Sequence, residues 1–534
     1  MSQAIIGHAI ISHWIIAPIL LPAMSAAILV LLGSNLALQR VLNLVATVAL
    51  VAVNVGLVIS AADGNFGVYA LSDWSAPFGI VLVLDRLSAL MLLLTSAVAL
   101  ASLLYALRGA DSSGKYFHAL FQFLLMGLGG AFLTGDFFNL FVFFEVLLIA
   151  SYGLLLHGRG GPRLKAGFHY VAINLTGSAL FLIGVTLLYA MTGTLNMADM
   201  ALKVAAAPAE DAALIRAGAL IMLVVFSIKA ALLPLNFWLP DAYSVVKAPV
   251  AALFAIMTKV GAYAVIRIFT LIFGSAAGIA ADVAMPWLLP VGLATMVIAT
   301  VGALASNTMR VLVSYLTITS VGAIFVGIGL FTPAALSAAI YYLVHSTITI
   351  ALLFLLADLI GRNRGEAGDK LTRNYPVAQP ALLGWLFLAG AAAVVGAPPL
   401  SGFLGKVMLL QGSQGHAAAV WVWAAVLGSA LLMLVAMARA GSMLFWHVDS
   451  SSDTVRVDAT LHANRIDLLA MAVLIGCIVV LTIWAGPVAR YTTAAANDLL
   501  QPAAYIRGVL GESPALDAFG RASPEIIQRG GQGS

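Results

Sequence analysis

The sequence predicts an all-α, polytopic membrane protein of about fourteen transmembrane helices, and three observations predict it. Hydrophobic residues make up 62% of the 534 residues and charged residues only 9%, against about 25% charged in ordinary soluble domains. Apolar runs long enough to cross a bilayer as helices recur from one end to the other. Basic residues gather in alternate connections. No stretch is left for a soluble catalytic domain. The longest polar stretches are 449–465 and the tail after Arg490.

Apolar length and Gly/Pro/polar punctuation place the spans near 14–33, 41–61, 80–107, 116–134, 137–157, 167–191, 213–239, 244–272, 286–305, 310–331, 334–359, 380–411, 417–441 and 466–488. The opening MSQAIIGHAIISHW lacks a basic region, so the first run is expected to be a retained span, not a cleaved signal. With the N-terminus outside, the inside connections carry 14 basic residues: Arg40, Arg108, Lys115, Arg159, Arg163, Lys165, Arg310, Arg362, Arg364, Lys370, Arg373, Arg439, Arg456 and Arg465. The outside connections carry only Lys203, and instead hold Asp63, Asp73, Asp199, Glu210, Asp211 and Asp282. One missed span would invert everything after it. An even count with both termini outside is therefore expected.

Two spans read as broken. The seventh contains FSIKAALLPLNFWLP, with Pro234 and Pro240 after Lys229; the twelfth contains VVGAPPLSGFLGKVMLL, with Pro398, Pro399, Gly402 and Gly405 before Lys406. Proline removes a backbone donor and kinks a helix, and unwound backbone at membrane depth survives only inside protein or beside a wet cavity. The two spans are five apart and run in opposite directions. That predicts two inverted five-helix repeats, spans 4–8 and 9–13. The chain divides accordingly into a three-span segment (1–115), a core (116–441, with repeats 116–272 and 286–441) and a last span with a polar tail (442–534). The end of the tail is expected to be disordered, and residues 499–510 to lie on the membrane surface.

The chemistry is carried by ionisable residues inside spans. Glu145 lies near the middle of the fifth span, with FVFF before it and VLLI after it. An ionised carboxylate there costs several kcal/mol and needs a partner, a proton or water. Lys229, Lys259 and Lys406 are intramembrane lysines, a type that suits proton transfer once desolvated. His345, in the eleventh span, suits a proton relay. Together these five residues predict a lateral path for protons or ions, with water bridging the gaps. Asp136 reads as a cap at the outer edge of the fifth span, with a place in an ion entrance as the alternative. Lys247 and Arg267 sit at opposite ends of the eighth span, where snorkelling to headgroups suffices. Thr349 and nearby hydroxyls could hold water.

Other chemistries are excluded. The net charge is only +4 and its cations are scattered, which is not a nucleic-acid footprint. One cysteine, Cys477, cannot hold an iron–sulfur cluster. The remaining histidines lie mostly at span ends, so no bis-histidine haem site is expected. No phosphate-binding loop or nucleophile–base set stands out. An enzyme, a cofactor and a metal site are all unexpected.

The stretches DFFNLFVFFEVLLIASYGLLLH, FSIKAALLPLNFWLPDAYSVVKAPVAALFAIMTKVGAYAVIRI and GAPPLSGFLGKVMLL resemble the antiporter-like membrane subunits shared by respiratory complex I and multisubunit cation/proton antiporters. The resemblance covers almost the whole chain. Within that family the motifs read closest to the D-type subunits of Mrp (Mnh, Pha) antiporters. The resemblance implies a bacterial inner-membrane subunit that exchanges Na⁺ or K⁺ for protons alongside A, B, C, E, F and G type subunits. It implies that Glu145 and Lys229 form the key pair, with Lys259 the central lysine and Lys406 the terminal one. Many relatives carry a lysine where this chain has Thr349, which fits the D type and weakens the second-half relay. The alternative is a proton-pumping subunit of a redox-driven complex.

Overall fold

The structure, a computed structural model, describes residues 13–33, 35–158, 160–373, 376–446, 462–512 and 516. The readings for the extreme N-terminus and for the end of the tail lie outside these residues. Long apolar sequences become helices because lipid offers backbone groups no partner. Polar residues cap them. Asp136 accepts from the Asn139 N–H (2.8 Å) at the start of α5 (Phe137–Leu156), and Asp85 forms a reciprocal capping box with Ser88 at the start of α3 (Arg86–Ala106). In chain order the helices are α1 (Ala17–Leu31), α2 (Leu36–Ala61), α3, α4 (Phe117–Leu133), α5, α6 (Gly161–Thr192) and the short α7 (Met197–Ala205). Next come α8 (Ala212–Ala230), α9 (Trp238–Val245), α10 (Ala248–Phe254), α11 (Met257–Leu271), α12 (Met285–Ala305), α13 (Met309–Gly329) and α14 (Pro333–Arg362). They are followed by α15 (Pro380–Val395), α16 (Ser401–Gly412), α17 (Ala419–Gly441), α18 (Arg465–Ile483), α19 (Ala485–Leu500) and α20 (Ala503–Leu510). Eleven helical stretches among the described residues are long and apolar enough to cross a membrane, and α1, α4 and α15 are shorter apolar helices. The chain is a polytopic helical membrane protein.

Three expectations are corrected. The all-α class holds with one short addition: β1 (Gly67–Ala70) and β2 (Val81–Leu84) form an antiparallel hairpin, with Val68 opposite Val83. The apolar VLVL of β2 had merged with the third span. The eighth span is two helices, α10 and α11. Tyr243 donates to the Phe254 carbonyl (2.8 Å) that the interruption exposes. Arg267 does not snorkel: it is buried, and its Nη2 lies 2.6 Å from Asp85 Oδ2. The tail is helical to Leu510, and α20 buries Tyr505 and Ile506 within the protein.

The predicted breaks are present and share local geometry. α8 ends at Ala231 in the left-handed conformation, and the Leu232 N–H reaches back to the Ser227 carbonyl (3.0 Å). α15 ends at left-handed Gly396, and the Ala397 N–H reaches the Ala392 carbonyl (2.9 Å). This is the same terminal hydrogen-bond pattern at both helix ends. A threonine on another helix satisfies an amide just beyond each: Leu233 N–H to Thr295 of α12 (3.0 Å) and Ser401 N–H to Thr482 of α18 (3.1 Å). The starts of α5 and α13 also match. Phe137 N–H donates to the Leu195 carbonyl and Met197 N–H to that of Gly135; Met309 N–H donates to the Asp369 carbonyl and Leu371 N–H to that of Asn307 (2.9 Å each).

Candidate ion-translocating site

Glu145 projects from α5 and is half-buried. Its carboxylate accepts a short hydrogen bond from the Ser178 hydroxyl of α6. One turn before Ser178 stands Asn174. Its amide donates to the Tyr170 carbonyl (2.8 Å), which turns Oδ1 toward the Lys229 ammonium at 3.4 Å. Lys229 lies in the last turn of α8, buried, 5.8 Å from the centroid of the Phe144 ring. The Glu145–Lys229 pair implied by the resemblance is thus not a direct ion pair. α6 stands between the two and gives each a neutral partner. Sequence reading missed Asn174 and Ser178. Their spacing of four, which shares one helix face, was the available signal.

A cavity of about 20 Å³ adjoins Lys229, lined by Phe144, Tyr170, Asn174, Trp238, Met257 and Val260 among others. It has room for one water. Met257 and Val260 flank Lys259, which is fully buried on α11 and donates to the Ser320 hydroxyl of α13 (3.0 Å). α11 comes this close to α8 because residue 261 is glycine. A Cβ there would lie 2.6 Å from Ala230 N and 2.8 Å from Phe226 O.

The second broken span holds the remaining pair. His345 of α14 hydrogen-bonds through Nδ1 to the Ser401 hydroxyl (2.8 Å) and through Nε2 to the Ala393 carbonyl (3.2 Å). Lys406 of α16 donates to the Val395 carbonyl (2.5 Å). Both side chains therefore bond carbonyls in the last turn of α15, where the helical i+4 donors are lost. In the first break Trp238 Nε1 does this for the Ile228 carbonyl (3.2 Å). Thr349 donates to the His345 carbonyl (2.9 Å), one turn along α14. Pro234, Pro398 and Pro399 all lie in the non-helical links of the breaks, and Gly402 faces His345 at the start of α16.

The peripheral candidates separate from this row. Asp136 caps α5, and residues beside it pair with the stretch before α7. Lys247 precedes α10 and packs over the turn at Gly158. Among the described residues no group of three or more His, Cys, Asp and Glu side chains is placed to hold a metal.

Residues 134–433 match the model of the family described as NADH:quinone oxidoreductase/Mrp antiporter, TM. A Rhizobium meliloti (strain 1021) protein, named as the D subunit of a probable K(+)/H(+) antiporter, is 42% identical, over 94% of this chain and 98% of its own. The D subunit of the Na(+)/H(+) antiporter of Alkalihalophilus pseudofirmus (strain ATCC BAA-2126 / JCM 17055 / OF4) is 37% identical, over 94% and 100%. Among solved structures, a chain of the Mrp complex from Dietzia sp. DQ12-45-1b superposes with a TM-score of 0.82 at 27% identity, covering 93% of this chain and 99% of that one. With its broken helices, buried lysines and near full-length relatives, the chain belongs to the NADH:quinone oxidoreductase/Mrp antiporter membrane family, among its D-type antiporter subunits.

Proposed function

We propose that this chain is the D subunit of a multisubunit monovalent cation/proton antiporter, and that protons pass through it along Glu145, Lys229, Lys259, His345 and Lys406. The observation that carries the reading is the state of the three lysines. Each is buried, and each donates to a neutral oxygen: Asn174 Oδ1, Ser320 Oγ and the Val395 carbonyl. No carboxylate forms an ion pair with any of them among the described residues. A lysine serving only structure would be matched by a buried counter-charge. A lysine held by one neutral acceptor can exist with or without its proton, which a relay requires.

The relatives' names supply the coupling: proton exchange against K⁺ in one and Na⁺ in the other. Entry of one proton down the membrane potential supplies about 2.3 kcal/mol per 100 mV, which drives cation export. The matched breaks and matched helix starts support two inverted halves, spans 4–8 and 9–13, flanked by the three-span segment and the C-terminal span. The charge asymmetry of the connections supports both termini lying outside a bacterial inner membrane. The partners are the other antiporter subunits.

The test is Glu145→Gln and Lys229→Ala in everted vesicles holding the complete complex, with collapse of the pH gradient followed on adding Na⁺ or K⁺. Loss of the cation-dependent signal in both variants, at wild-type amounts of complex, is expected. A full signal in either removes that residue from the path. A wild-type complex that ignores both cations but pumps protons on adding a reductant would assign it to the redox-driven class.

A further inference from the structure

The geometry points to Asn174 and Ser178 as positioning residues of the relay. They hold Lys229 and Glu145 on separate neutral partners in the resting state, so that the ion pair forms only in passing. The inference rests on the proton-path reading above and adds to it what separates its first two members.

The argument starts from hydrogen-bond accounting. Ser178 donates its only hydroxyl hydrogen to the Glu145 carboxylate. Asn174 commits its amide nitrogen to the Tyr170 carbonyl, which leaves its oxygen for the Lys229 ammonium. The two residues are one turn apart on α6 and present one polar edge to α5 and α8. Gly177 lies between them in sequence, and a Cβ there would reach the Lys229 side chain at 4.0 Å. α6 thus passes Lys229 closely while offering it no charge.

A direct Glu145–Lys229 pair would be stable and slow to exchange, because buried opposite charges hold each other strongly. Neutral partners keep both groups hydrogen-bonded without that commitment. They also leave Lys229 open to the water-sized cavity leading toward Met257 and Val260, the neighbours of Lys259.

Four variants test the assignment in everted vesicles containing the complete complex, with Na⁺- and K⁺-driven pH collapse measured at equal amounts of assembled protein. Asn174→Asp is nearly isosteric and puts a fixed carboxylate beside Lys229. It should preserve or raise the thermal stability of the complex while lowering transport by about tenfold or more. A purely structural Asn174 predicts no loss of transport. Ser178→Ala should lose transport to a similar degree. Ser178→Thr, which keeps the hydroxyl, should recover most of it, with the apparent KM for the cation unchanged. Wild-type transport in Asn174→Asp, or equal rates in Ser178→Ala and Ser178→Thr, overturns the inference. Glu145→Gln is the control. If it is inactive while the α6 variants are normal, only this inference fails; if it is fully active, the proton-path reading fails first.

Discussion

The buried Asp85–Arg267 pair gives a prediction whose size follows from its surroundings. The charged atoms are 2.6 Å apart, and the side chains are only 4% and 6% exposed. The Arg267 guanidinium also lies over the rings of Tyr263 and Tyr505, 5.5 and 5.3 Å from their centroids. Removing one member of such a pair leaves the other charge buried, at a cost of about 3–5 kcal/mol. Losing the two ring contacts adds about 0.5–1 kcal/mol each. Asp85→Asn keeps an oxygen for the Ser88 amide, so the α3 cap survives and only the charge is lost. We expect about 3 kcal/mol for Asp85→Asn and somewhat more for Arg267→Met. The double variant should cost less than the sum of the singles by about 2–3 kcal/mol, because neither charge is then stranded. Equilibrium unfolding in mixed detergent–SDS micelles measures all three. Single-variant losses below about 1 kcal/mol with no coupling would refute the buried-pair account and return Arg267 to snorkelling.

Two further outcomes are expected. Gly402→Ala would drive a Cβ into the Ala393 carbonyl and to 2.7 Å from His345 Nε2. Transport should fall by about tenfold or more, read in the same vesicle assay, while Gly428→Ala, with open space around it, should be silent. Asp111, in the connection between α3 and α4, is buried, which alone would push its carboxyl up. Hydrogen bonds from His118 and Arg40 outweigh this and pull it from 3.8 down to about 2. A lowered value means stabilisation that is complete above the unfolded-state value and lost as pH falls toward 2. Asp111→Asn should therefore cost about 2 kcal/mol at neutral pH and almost nothing near pH 2, as read from unfolding midpoints at the two pH values.

What the sequence disclosed and what it hid divide along physical lines. Spans were legible because a bilayer demands apolar length, and eleven helical stretches among the described residues have it. The breaks at Pro234 and Pro398–Pro399 were legible because proline cannot continue a helix. The break between Phe254 and Met257 was not, since AALFAIMTK contains neither glycine nor proline. Its freed carbonyl is taken by Tyr243, from the preceding helix. Intramembrane Glu145, Lys229, Lys259, His345 and Lys406 stood out by their cost. Their partners did not, because Asn174, Ser178 and Ser320 are inexpensive residues whose importance depends on what faces them. Asp85 lies far from Arg267 in sequence, so Arg267 looked like a span-end charge.

The hydroxyls that steady the two breaks come from outside the helices they steady. Thr295, which serves the first break, sits on α12; Thr482, which serves the second, sits on α18. Each break leans on a hydroxyl from a helix further along the chain. A chain cut after α17 would leave its last break open-ended, with the Ser401 amide unserved. The first break would keep its own support.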